Sequence, residues 1–199
     1  MIAANQNQAT LVSTLWPTGE RSSLMRATVL AVAGSALLAI SAKIQIPFYP
    51  VPMTMTTFMV LLLGMSLGWR LAAATILLYL AEGAAGMPVF AGTPEKGIGL
   101  AYMMGGTGGY LIGYLLAAVT CGWLAEHGWG RNVVSTAIAM LVGNVLIYVP
   151  GLLWLGALFG WDKPILEWGL TPFILGDLTK LALAAVVLPM AWKLTQARN

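Results

Sequence analysis

Charge is what this chain has least of. Lys and Arg together count 10 and Asp and Glu 7, so only 17 of its 199 residues are charged. Soluble domains carry about a quarter, and so few charges cannot cover a water-facing surface. This scarcity excludes an ordinary soluble enzyme, and 59% hydrophobic residues exclude a disordered chain. The net charge of +3 comes from scattered basic residues with no basic patch, which argues against nucleic-acid binding. One cysteine, Cys121, cannot form an internal disulfide, and one histidine, His127, cannot build the usual zinc sites. No lysine follows a glycine, so there is no G-x-x-x-x-G-K-[ST] loop for ATP. Uphill transport by this chain would draw on an ion gradient or on a partner. What remains is an integral membrane protein.

The first 23 residues are polar and contain no signal-peptide core, so they read as a short solvated tail. Apolar runs able to cross about 30 Å of hydrocarbon follow. Helices are expected at 24–42, 54–67, 71–85, 108–125, 133–159 and 171–194. Pro47, Pro50 and Pro52 break the chain after the first. Gly68-Trp69-Arg70 divides the second from the third, and the Gly-rich 86–106 reads as a structured loop. Pro150-Gly151 should bend or end the fifth, and Pro189 lies near the end of the sixth. The expected fold is all-α: a compact bundle of six transmembrane helices in one domain, 24–194, between tails 1–23 and 195–199. Arg21, Arg26, Arg70, Arg131, Lys193 and Arg198 fall on one side, against Lys43, Lys96 and Lys163 on the other. Positive charge accumulates inside, so both termini are expected in the cytoplasm. Trp16, Trp69, Trp123, Trp129, Trp161, Trp168 and Trp192 fall near helix ends, as interfacial belts require.

Several residues sit where lipid-facing helices do not tolerate them. Asp177 and Lys180 lie inside the last span, and each charge costs about 2.5–3.5 kcal/mol near a helix centre. Their i, i+3 spacing puts them on one face, either as a neutralised packing pair or as a pocket with one acceptor and one donor group. Glu82 ends the third helix, either buried in a site or at the interface. Asn144 lies mid-span in the fifth, where an interhelical hydrogen bond and a ligand contact are comparable readings. In Gly105-Gly106-Thr107-Gly108-Gly109-Tyr110, Thr107 is a natural N-cap, and glycines would let a ligand approach backbone N–H groups. Small residues recur every fourth position from Gly105 to Ala125, which is helix packing. The stripe Ala27, Ala31, Ser35, Ala39 on the first helix permits close approach by another helix. On the residues alone, a helix within the bundle is favoured over a partner's.

Gly64-Met65-Ser66-Leu67-Gly68 spells G-x-S-x-G, so an intramembrane serine protease using Ser66 and His127 is the alternative. A nucleophile elbow needs strand–turn–helix context, and this match ends a membrane helix. The eleven methionines read as core and lipid-facing filler, not as a soft-metal path.

Four blocks together resemble a known family. They are Val51-Pro52-Met53-Thr54, the run from Tyr79 through Gly86-Met87-Pro88-Val89-Phe90-Ala91-Gly92, the Gly105–Gly113 stretch, and Pro172-Phe173-Ile174-Leu175-Gly176-Asp177-Leu178-Thr179-Lys180. The chain is similar to the BioY biotin transporters, substrate-binding S components of energy-coupling factor transporters. It departs from their pattern at Gly106, where proline is usual, and at Thr56, where glutamine is common. The resemblance implies six helices, cytoplasmic termini in a prokaryotic plasma membrane, and biotin as transported substrate with no cofactor. It also implies a transmembrane coupling subunit and two ATPase subunits as partners. Onto biotin it suggests Asp177 and Lys180 for the ureido ring and Lys96 for the carboxylate. Tyr79, Phe90, Tyr110 and Tyr148 are candidate walls, with Glu82, Asn144 and Thr107 as further polar candidates. It also implies that the Ala27/Ala31/Ser35/Ala39 stripe docks the coupling subunit.

Overall fold

The computed structural model describes residues 10–17 and 23–196. Arg21 and Arg198 of the charge count, and most of both expected tails, lie outside the described residues.

Within the segment expected as a solvated tail, Leu11–Leu15 forms a short helix, α1. The Thr10 side chain caps it by accepting from Ser13 N, and Leu11 is buried. This part of the tail is packed, against α3 and α9, rather than solvated.

α2 runs over Ser23–Lys43. The proline-rich break is not featureless. β1, Gln45–Ile46, pairs antiparallel with β2, Met53–Thr54, in the register Gln45 to Thr54 and Ile46 to Met53. α3, Thr56–Leu67, and α4, Trp69–Ala84, meet at Gly68. Gly68 has φ +80°, a conformation L side chains rarely adopt, and it lets α4 start immediately. The Glu126 carboxylate accepts from Trp69 N at 3.2 Å and covers one of the free N–H groups there. The Gly-rich stretch contains a short helix, α5, Gly99–Met103.

α6, Gly108–Glu126, is the centre of the bundle, flanked by α3, α4 and α7. α7 spans Val133–Phe159 without interruption, so Pro150 does not end it. Proline lacks the N–H that would bond to the carbonyl four residues back. That carbonyl, Leu146 O, lies where Gly113 of α6 comes closest. A Cβ on Gly113 would sit 2.6 Å from Ile147 Cα and 2.9 Å from Leu146 O. The glycine thus makes the tight α6–α7 crossing possible. α8, Ile165–Gly169, and a 3-10 turn, Thr171–Phe173, lead into α9, Ile174–Gln196. The last helix starts three residues later than expected.

The protein is predominantly helical. Among the described residues, four helical stretches are long and apolar enough to cross a membrane: Ser23–Lys43, Gly108–Glu126, Val133–Phe159 and Ile165–Thr195. α3 is a shorter apolar helix.

Candidate functional site

The polar heart of the molecule forms where α9 meets α3 and α7. Because α9 begins at Ile174, Asp177 stands in its first turn, where the positive end of the helix dipole favours a carboxylate. Asp177 is 7% exposed. The Lys180 ammonium donates to Asp177 Oδ1 at 2.8 Å, to Thr54 O at 2.8 Å and to the Thr57 hydroxyl at 3.0 Å. All three ammonium donors are therefore used. The Tyr148 hydroxyl of α7 donates to Asp177 Oδ2. Both carboxylate oxygens and the ammonium are satisfied, which is what a buried ion pair requires.

This cluster lies in the wall of a cleft bordered by residues of α3, α4, α6, α7 and α9. Many of the lining side chains are aromatic: Tyr79, Phe90, Tyr102, Tyr110, Tyr114, Tyr148 and Phe173. Phe90 stands edge-on to Tyr79 at 5.3 Å and stacks on Tyr102 at 4.9 Å. Tyr110 is fixed by donating to Gly169 O at 2.8 Å, and Tyr79 donates to Val89 O at 3.2 Å. Thr107 also lines the cleft, but its side chain makes no helix-capping bond. Its backbone is already helical (φ −89°, ψ −6°), which points the hydroxyl away from the N–H groups a cap would serve. Gly108 does not mark a ligand site either. An added Cβ there would strike Met103 O and the Trp154 ring, so packing explains it. Burial raises the pKa of the Tyr102 phenol, against an opposing hydrogen bond with Thr107.

Seven of the ten expected contact residues thus border one cleft or its polar wall: Asp177, Lys180, Tyr79, Phe90, Thr107, Tyr110 and Tyr148. The other three stand elsewhere. Glu82 accepts from the Ser35 hydroxyl at 2.5 Å across the α2–α4 contact. Asn144 borders a narrow void behind Lys180. Lys96 is exposed, on the loop that continues from Phe90 and Ala91, and its stem lies over Gly92. Sequence reasoning missed Thr54, Thr57, Tyr102, Tyr114 and Phe173. Tyr114 was findable, one turn beyond Tyr110 on the same face of α6. The Thr54 carbonyl was not, because no side-chain pattern marks it.

The first-helix stripe faces inward. Ala31 and Ser35 are buried, and Ala27 and Ala39 are partly so, with α4 and α3 against them. Ala31 and Ser35 thus pack inside the chain, which leaves Ala27 and Ala39 as the more accessible positions of the stripe. The protease reading falls. Ser66 lies within the continuous helix α3, with no elbow. His127 is exposed, its Nδ1 2.8 Å from Trp123 O. No cluster of potential metal ligands occurs among the described residues.

Comparison with known proteins agrees with this architecture. The family model described as "BioY family" matches residues 8–197. A probable biotin transporter BioY of Pyrococcus horikoshii is 37% identical over 152 residues, covering 76% of this chain and 87% of that protein. The biotin transporter BioY of Thermotoga maritima is 34% identical over 163 residues, covering 82% and 94%. The crystal structure of the S-component for biotin from an ECF-type ABC transporter shares the fold, with a TM-score of 0.74 at 24% identity, over 88% of this chain and 95% of that one. The chain belongs to the BioY family.

Proposed function

We propose that this protein binds biotin in the α3–α6–α7–α9 cleft and serves its uptake as the S component of an energy-coupling factor transporter. The observation that carries this reading is the Asp177–Lys180–Tyr148 cluster set into a cleft rich in aromatic side chains. Biotin is an apolar bicycle with one strongly polar edge. Its ureido ring has two N–H donors and a carbonyl, which an aspartate and a lysine complement. The rings supply walls for the bicycle and tail. The carboxylate then points towards the loop that bears Lys96. No bond is made or broken, so the protein is a binding and transport subunit and not an enzyme.

The same reading takes α2, α3, α4, α6, α7 and α9 as six transmembrane helices with both termini in the cytoplasm of a prokaryote. The basic residues at the helix ends support that orientation. A transmembrane coupling subunit and two ATPases supply the energy, because this chain has no phosphate loop of its own. Calorimetry on the detergent-purified protein tests the substrate. One biotin should bind per chain, and lipoic acid, which has a similar tail but no ureido ring, should not compete. Absence of biotin binding by a folded protein would overturn the proposal.

A further inference from the structure

Gly83 is the next-to-last residue of α4, buried and in ordinary helical backbone. Glycine serves a helix less well than alanine does, and no left-handed φ calls for one here. Space does. A Cβ added to Gly83 would lie 2.0 Å from Phe90 Cζ, 2.2 Å from Cε2 and 2.8 Å from Cε1. The tip of the Phe90 ring is therefore seated on the bare backbone of α4.

The rest of Phe90 has little freedom. Its carbonyl accepts from Lys43 Nζ at 2.9 Å and from the Thr93 hydroxyl at 2.6 Å. The carbonyl before it, Val89 O, accepts from Tyr79 at 3.2 Å. The ring stands edge-on to Tyr79 and stacks on Tyr102. With its backbone tied and rings on two sides, a displaced Phe90 has one open space to enter. That space is the cleft that Phe90, Tyr79 and Tyr102 all border. We infer that Gly83 is a positioning residue for ligand binding: it seats the Phe90 ring against α4 and so keeps the ring out of the cleft. Gly83 does not itself border the cleft, so it acts through Phe90. The inference rests on the biotin reading of the cleft.

Gly83→Ala tests the seat, and Phe90→Leu is its suppressor. Leucine lacks all three atoms that the new methyl would strike. In Gly83→Ala, biotin has to force the ring back onto that methyl. Its affinity should fall about tenfold to a hundredfold, the usual cost of overpacking expressed as binding. Gly83→Ala combined with Phe90→Leu should bind biotin as Phe90→Leu alone does. Calorimetry reads these affinities, and a crystal structure of ligand-free Gly83→Ala should show the Phe90 ring in the cleft. Native affinity in Gly83→Ala would overturn the inference, as would a Phe90 ring still in its native place. A double variant no better than Gly83→Ala would make Gly83 a helix-packing residue and nothing more. If Gly83→Ala alone does not fold, the double variant decides: binding equal to that of Phe90→Leu upholds the seat, and failure to fold overturns it. Failure of the native protein to bind biotin would instead remove the substrate reading, and the ring position in Gly83→Ala would still test the seat.

Discussion

Lys43 Nζ, at the end of α2, donates to Phe90 O at 2.9 Å and ties the first long helix to the loop that roofs the cleft. The same ammonium reaches Thr93 O at 3.3 Å and the Thr93 hydroxyl at 3.0 Å. All its donors are spent on one short segment, which also places the Phe90 ring against Tyr79 and Tyr102. Lys43→Met should loosen this roof while leaving the helices intact. Biotin should dissociate about tenfold faster, because charge-assisted bonds are lost without a substitute. Protease cleavage between residues 91 and 97 should also quicken. Stopped-flow dissociation and timed proteolysis check both, and native rates would show that the clamp does not govern the site.

Asp177→Asn keeps the shape of the side chain and removes its charge. It leaves the Lys180 ammonium buried with two neutral acceptors, Thr54 O and the Thr57 hydroxyl, and a weaker third. Helical content should be retained. Biotin affinity should fall tenfold or more, since bonds to charged groups are worth roughly 1.5–3 kcal/mol. Calorimetry gives the affinity and circular dichroism the fold. Native affinity would leave Asp177 as a packing partner of Lys180 and nothing more.

Lys96 is exposed on the roof loop, so its pull on a ligand carboxylate is partly screened by water. Lys96→Ala should weaken biotin by a few-fold and biotin amide, which lacks the charge, hardly at all. Equal losses for the two compounds would remove Lys96 from the carboxylate end.

Much of this was legible in the sequence, for a simple reason. In lipid, apolar length reads directly as helix, so the expected 133–159 coincides with α7, Val133–Phe159. Charges in apolar runs are costly enough to stand out, which is why Asp177 and Lys180 were singled out, with some of the rings that share their cleft. Backbone acceptors were invisible: nothing in the side-chain pattern marks Thr54 O as the partner of Lys180. Direction was ambiguous too. Small residues at period four show that a helix face is smooth, not what covers it. The residues alone favoured an internal partner helix for the stripe, the resemblance a docking subunit, and Ala31 and Ser35 are buried within the chain. Pro150 does not end α7, because a membrane helix tolerates one lost N–H where a neighbouring helix packs closely against the turn.

The inward stripe leads to a paired substitution on α2. Ala31 is buried at 9% exposure, between the Ser35–Glu82 contact and the start of the helix, whereas Ala36 is exposed on the opposite face. Ala31→Trp forces a large ring into the α2–α4 packing, where overfilling typically costs about 1–3 kcal/mol. Its melting temperature in detergent should drop, and biotin binding should fall with it, because α4 carries Tyr79 into the cleft. Ala36→Trp adds the same ring to the outer face and should change neither. Any loss of copurifying coupling subunit in Ala36→Trp would then place the docking surface on the outward face of α2. If Ala31→Trp instead kept native stability and biotin affinity while losing the partner, the stripe would be the docking surface after all, and the packing of α2 against α4 would have to be wrong.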